Sequence, residues 1–150
     1  MVALDAQTCL VLAGPADAAA LLAHARVLHE EDGHPLSARG EQAILRLLGD
    51  PALGLAFKIV RADRVIGYAS LCFGFSLEWG REAFLDDLYL EPAARGRGLG
   101  RRAIGHLLAA AGDAGCGAVH LEVRQGNPAH ELYRSLGFRD RGNLMTRPAG

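Results

Sequence analysis

Residues 83 to 111 constrain the fold of this chain more than any other stretch. Ala83 to Leu90 is a strand-like run, and Arg95-Gly96-Arg97-Gly98-Leu99-Gly100 is too rich in glycine to extend it. From about Gly98 onward, Leu99, Ala103, Ile104, Leu107, Leu108 and Ala111 fall three and four residues apart. That spacing predicts one apolar helical stripe, which ends near Gly112 or Gly115, where glycine accepts a left-handed cap. A strand, a tight loop and an amphipathic helix in this order pack helix on sheet and hold the loop rigid at the strand's end.

The loop has the composition of an anion seat. Glycine leaves the backbone bare, so a phosphate can rest directly on successive N–H groups. The start of a helix adds unsatisfied donors and the positive end of its dipole, and Arg95, Arg97, Arg101 and Arg102 add fixed charge. We read a pyrophosphate seat. A Rossmann fingerprint needs a further glycine where Arg101 or Ala103 stands, although Glu122, about twenty residues on, sits where a ribose-binding acid would and keeps the dinucleotide alternative open. The Gly-Lys-Ser/Thr triplet of a P-loop is absent.

At 150 residues and 50% hydrophobic, the chain is predicted to form a single domain over 1–150 with a sizeable core. A net charge of −1 gives no global attraction to nucleic acid or an anionic membrane, so the arginines of the loop act locally. Cys9, Cys72 and Cys116 are widely spaced and lie in apolar surroundings, which predicts reduced thiols in a cytoplasmic protein. No basic signal-like start or membrane-spanning run is found, because Asp17, His24 and Arg26 interrupt the Ala-rich segment 13–27.

The element pattern predicts a strand over Thr8–Leu12, a helix capped by Asp17 and broken by His29–Pro35, and a helix capped by Ser37 that ends at Gly49-Asp50-Pro51. A hairpin follows, Leu53–Arg61 and Val65–Phe75 about Ala62-Asp63-Arg64, and then a longer polar connection, Ser76–Glu82. After the central helix come a strand over Ala118–Val123, a helix from Pro128 and a weak final strand beyond Phe138. The order β-α-α-β-β-β-α-β-α-β describes a mixed α/β sheet with helices on both faces.

Arg95-x-x-Gly98-x-Gly100, preceded by Leu88-Tyr89-Leu90-Glu91-Pro92, resembles motif A of the GCN5-related N-acetyltransferases, the GNAT superfamily. Asn127-Pro128-Ala129-His130-Glu131-Leu132-Tyr133-Arg134-Ser135-Leu136-Gly137-Phe138 resembles that superfamily's motif B. The resemblance implies a mostly antiparallel, twisted sheet of six to seven strands and binding of acetyl-CoA as cosubstrate, with no metal. It implies acetyl transfer to a primary amine of a small molecule, polyamine-like or amino-acid-like, by direct attack in a ternary complex. Transfer to a protein or peptide amine, transfer of a longer acyl group and a noncatalytic acyl-CoA-binding module are the alternatives. Homodimers are common in the superfamily.

By the same resemblance, Arg95, Gly96, Arg97, Gly98, Leu99, Gly100 and Arg101 seat the coenzyme's phosphates, and backbone N–H groups of Leu88, Tyr89 and Leu90 polarise the thioester. Asn127, a helix cap by its position, also touches the coenzyme. Asp86 and Asp87 stand in an otherwise apolar strand, and a carboxylate facing a core is very costly, so at least one faces a cleft or solvent. Period-two alternation puts Phe84, Asp86, Leu88 and Leu90 on one face and Leu85, Asp87 and Tyr89 on the other. Asp86 is the favoured base, ahead of Asp87, Glu78 and Glu82. Tyr133 is the favoured acid, since a phenol can protonate a departing thiolate, with packing on the last helix as the plainer alternative. Glu30, Glu31 and Asp32 attract a cationic amine or form a solvated loop. His29 and His34 are spaced one residue too far apart for a zincin pair.

Overall fold

The computed structural model describes residues 1–150. Its elements run β1 (Val2–Ala3), β2 (Thr8–Leu12), α1 (Ala18–Glu31), α2 (Ala38–Gly49), β3 (Gly54–Arg61), β4 (Arg64–Ser76), β5 (Gly80–Leu90), α3 (Leu99–Asp113), β6 (Val119–His120) and α4 (Ala129–Ser135). The six strands form one sheet in sequence order. Every neighbouring pair is antiparallel except β5–β6, which is parallel because α3 carries the chain back across the sheet. Local chemistry sets the turns. Ala62 and Asp63 take φ of 47° and 61°, the two left-handed residues of a tight hairpin, and Ser37 Oγ accepts from Gly40 N at 3.0 Å to cap α2.

The sheet buries both faces. On one, Leu99, Ala103, Ile104, Leu107 and Ala111 of α3 pack on Ile59, Ile66, Ala69, Leu71, Ala83 and Leu85. On the other, Leu21 and Ala25 of α1 and Leu48 of α2 cover Ala56, Tyr68 and Tyr89. Burying side chains the size of Leu99, Ile104 and Leu107 contributes about 1.5–3 kcal/mol each, enough to anchor α3 and with it the loop that precedes it.

Strict alternation along β5 fails at one point. Ser70 pairs with Asp87 but Leu71 pairs with Leu85, so Asp86 is the extra residue of a β-bulge. Leu85 and Leu88 therefore pack on the same, α3-facing side. Asp86 and Asp87 both line the cavity on the α1–α2 side, where alternation had placed them on opposite faces.

Four other expectations are corrected. The strand over Ala118–Val123 shrinks to Val119–His120, because the chain beyond His120 diverges from β5 and loses its partner. No strand follows Phe138: residues 139–150 are all exposed, and their larger apolar side chains, Leu144 and Met145, join no core cluster. The connection after Ser76 is shorter than expected, since β5 begins at Gly80, and α1 runs on through His29 to Glu31. Cys9, Cys72 and Cys116 are free and half-buried, and no helix is long and apolar enough to cross a membrane.

Candidate active site

β5 and β6 pair only at Ala83–Val119 and Phe84–His120 and then part. An open groove lies between them, walled by Phe84–Asp87 on one side and residues 118–128 on the other, with Tyr133 in its lining. Asp87 N donates to Ser70 Oγ at 3.1 Å and Glu91 N to Ile66 O at 2.9 Å, so these groups point towards β4. Because hydrogen-bonding direction alternates along a strand, Leu88 and Leu90 turn their N–H groups to the opposite, unpaired edge. Tyr89 differs from both: its N–H points to β4, and its ring packs beneath α1, 5.4 Å from the His24 ring.

The arginine–glycine loop continues that open edge. Gly96 and Gly98 take φ of 79° and 76°, a backbone state that selects glycine, and α3 starts with no side-chain cap. Gly100 needs another explanation. Its φ is ordinary, and an added Cβ would meet only Leu90 Cδ1 at 4.0 Å, so the protein itself does not require a glycine there. A glycine here leaves the free N–H groups of the first turn of α3 uncovered by a side chain. Leu99 is buried in the core and offers only its backbone. Arg95 donates to Leu90 O at 2.8 Å and pairs with Glu31 at 3.3 Å, while Arg101 reaches Ser135 Oγ on α4 at 2.5 Å. Arg97 and Arg102 are exposed and form no ion pair. Asn127 lines the groove, and its Oδ1 accepts from Ala129 N at 2.9 Å where α4 begins.

The two aspartates divide their roles. Asp87 Oδ2 accepts from Tyr68 OH at 2.6 Å and from His29 Nε2 at 3.0 Å. Burial, and then the charge of Asp87, hold the Tyr68 phenol protonated far above its ordinary range. Asp86 has no hydrogen-bond or ion-pair partner. Crowding by the protein and the neighbouring Asp87 raise its pKa, His29 opposes them, and Glu122 adds a smaller upward push. An unpartnered carboxylate with a raised pKa is a better proton acceptor near neutrality than an ordinary one. Tyr133 stacks edge-on against Phe138, with centroids 6.0 Å apart, and its hydroxyl makes no hydrogen bond to the protein. Its pKa is raised by burial and then by Asp32, so the phenol keeps its proton.

The other carboxylates weighed from the sequence are occupied or remote. Glu82 accepts from Ser76 Oγ and His120 Nε2, both at 2.9 Å, and Glu78 pairs with Arg141 at 2.7 Å. Glu31 is bound to Arg95, and Glu30 is exposed and lines neither cavity, whereas Asp32 does reach the groove. His29 and His34 go to separate partners, Asp87 and Arg124. Sequence reasoning missed Tyr68, Ser70 and His29 as a group around Asp87. The available signal was the alternation along β4, where Tyr68, Ser70 and Cys72 are the polar side of a strand whose other side is Ala69, Leu71 and Phe73.

A family model described as the acetyltransferase (GNAT) family matches residues 20–138. Thialysine N-epsilon-acetyltransferase of Bos taurus is 38% identical over 77 residues, which are 51% of this chain and 45% of that protein, so the match spans about half of this curated relative. A possible acetyltransferase from Clostridium difficile has the same fold, with a TM-score of 0.82 at 17% identity over 96% of this chain and 98% of that one. A predicted acetyltransferase with acetyl-CoA, from Clostridium acetobutylicum, superposes with a TM-score of 0.77 at 17% identity over 94% of this chain and 96% of that one.

Proposed function

This chain belongs to the acetyltransferase (GNAT) family, and from that premise we propose that it moves an acetyl group from acetyl-CoA to the primary amine of a small molecule. One observation carries the reading: an unpaired strand edge, with the N–H groups of Leu88 and Leu90 turned outward, runs directly into a helix start whose Gly100 the fold does not need. Diphosphate fits there. The free N–H groups of the first turn of α3, with Arg97, Arg101 and Arg102, would hold the coenzyme's phosphates, and Leu88, Leu90 and Asn127 would hold the arm that leads to the thioester. Bound acetyl-CoA supplies an acetyl group activated as a thioester.

The chain's own residues then have four tasks. Asp86 accepts the proton of the incoming ammonium, directly or through a water, and leaves a neutral amine. Asp87, fixed in place by Tyr68 and His29, offers its carboxyl group beside that amine. Leu88 and Leu90 N–H groups face the edge on which a carbonyl oxygen gains charge, which is where preorganised donors are worth most. The Tyr133 hydroxyl, protonated and uncommitted, gives its proton to the departing sulfur and is reprotonated by the second proton that the nitrogen loses as the amide forms. Cys72 takes no part: burial pushes its thiol up to about 11, so it is no thiolate nucleophile, which favours direct attack over an acyl-enzyme. The relative named for the ε-amine of thialysine supports a small-molecule acceptor, and the neighbour solved with acetyl-CoA supports the donor.

The test is calorimetry with coenzyme A and acetyl-CoA, followed by a panel of amines with thiol detection of released coenzyme. Binding and turnover with at least one small amine are expected. No association with either coenzyme overturns the proposal. Binding without turnover makes the chain a noncatalytic acyl-CoA module, and turnover confined to peptides makes it a protein acetyltransferase.

A further inference from the structure

A second, smaller cavity of about 130 Å³ lies between the sheet and the helices α1 and α2. His29, Asp86 and Asp87 line both this cavity and the groove, so they form the wall that the two spaces share. Behind that wall the lining is mostly apolar, Leu21, Leu36, Ile44, Leu47 and Ala56, with Tyr68, Ser70 and Cys72 on the sheet side. Resting on the acetyltransferase reading above, we propose that this cavity holds the tail of the acceptor, and that the acceptor is a primary monoamine with a compact apolar tail of about five or six carbons.

Three features support that class. The size is right, since a dry apolar cavity of roughly 150 Å³ accommodates a benzene ring. The amine end is provided for: Asp86 is unpartnered at the mouth, beside the edge where Leu88 and Leu90 present their donors, so a tail pointing inward leaves its nitrogen at the groove. The far end is not provided for. Tyr68 OH already donates to Asp87, and Ser70 Oγ already accepts from Asp87 N. No further carboxylate waits deeper in, so a second ammonium would lie against apolar side chains without an anionic partner. No lysine or arginine lines the cavity, so an amino acid's carboxylate finds no counter-charge there. Diamines, polyamines and amino acids are therefore selected against, in contrast with the polyamine-like and amino-acid-like acceptors expected from the sequence.

The experiment compares initial rates of the full chain with acetyl-CoA and ethylamine, propylamine, butylamine, pentylamine, benzylamine, 1,5-diaminopentane and lysine, with calorimetric titration of pentylamine alongside. Each methylene from ethylamine to pentylamine is expected to raise kcat/KM about fourfold, the value of burying one CH₂. 1,5-Diaminopentane and lysine are expected at least tenfold below pentylamine. Ala43 lines the cavity at an exposed position, where a larger side chain is compatible with folding. Ala43→Phe is expected to lower the ratio of pentylamine to ethylamine kcat/KM at least tenfold and to weaken pentylamine binding, and Ala43→Asp to raise the ratio of 1,5-diaminopentane to pentylamine. A diamine or lysine that outperforms pentylamine, or an Ala43→Phe ratio equal to the native one, overturns this inference while acetyl transfer stands. Loss of coenzyme binding, or no turnover with any amine, overturns the underlying reading and this inference with it.

Discussion

Gly100→Ala separates two reasons for a glycine at the start of a helix. If the residue served folding, alanine would clash or force an unfavourable backbone. Neither holds here: φ is ordinary and the nearest atom to an added Cβ is Leu90 Cδ1 at 4.0 Å, an everyday contact. Glycine in a helix interior is about 0.8–1.0 kcal/mol less favourable than alanine, and part of that difference applies at the second residue of α3, so the variant is expected to gain about 0.5 kcal/mol. For a chain of this length that is a rise in Tm of about 1–2 °C. Coenzyme A binding is expected to move the other way, weakening at least tenfold, or about 1.4 kcal/mol, because a methyl group would stand among the donors proposed to hold the diphosphate. Gly105→Ala is the control: its Cβ also meets nothing within 4 Å, but it lies beyond the first turn, so it is expected to stabilise without touching coenzyme affinity. Gly98→Ala is the contrast, since φ of 76° makes alanine cost about 1–2 kcal/mol whatever the space. Thermal melts of the free protein and calorimetry with coenzyme A measure both quantities. If Gly100→Ala binds coenzyme as tightly as the native chain, or melts lower, the reasoning about this glycine is wrong.

Three further outcomes are expected. Asp86→Asn lowers kcat/KM by about 10²- to 10⁴-fold at neutral pH; in the native enzyme the rate climbs as Asp86 loses its proton, at a pH above the ordinary carboxylate range because crowding, Asp87 and Glu122 outweigh His29, and the variant lacks this limb in a pH–rate profile. A raised native pKa also means that ionised Asp86 weakens the fold as pH rises through it, so Asp86→Asn melts no lower than native at pH 8. Tyr133→Phe keeps the contact with Phe138, so stability measured in urea stays within about 0.5 kcal/mol while kcat falls at least tenfold; an unchanged kcat assigns the ring to packing alone. Asp17→Asn breaks the 2.7 Å pair with Lys58 and costs about 1–3 kcal/mol at pH 7. The hydrogen bond from Lys58, then that from Gly14 N, hold the native pKa of Asp17 below normal, so the contribution is present above about pH 4 and fades as pH falls through the native value; urea denaturation of both chains should converge there.

Much of this molecule is legible in its residue order, because the physics involved is local. The 3.6-residue stripe of α3, the Ser37 cap, the two-residue turn at Ala62-Asp63 and the glycines at 96 and 98 each answer to chemistry within a few residues. The fold was implied by the resemblance of Arg95–Gly100 and Asn127–Phe138 to the two GNAT motifs, and the coenzyme seat is proposed on that same resemblance. Tertiary structure decided what depends on partners far along the chain. The bulge at Asp86 arises from the register between β4 and β5, and it alone turns both aspartates to one side. Tyr68 and His29 meet Asp87 across 19 and 58 residues, separations that carry no periodic signal. The acidic segment Glu30-Glu31-Asp32 read as either an amine attractor or a solvated loop, yet Glu30 and Glu31 close α1, and Arg95, 64 residues away, pairs with Glu31. The short β6 and the missing final strand follow the same rule: a strand exists only where a neighbour supplies its hydrogen bonds, and that neighbour is found by folding.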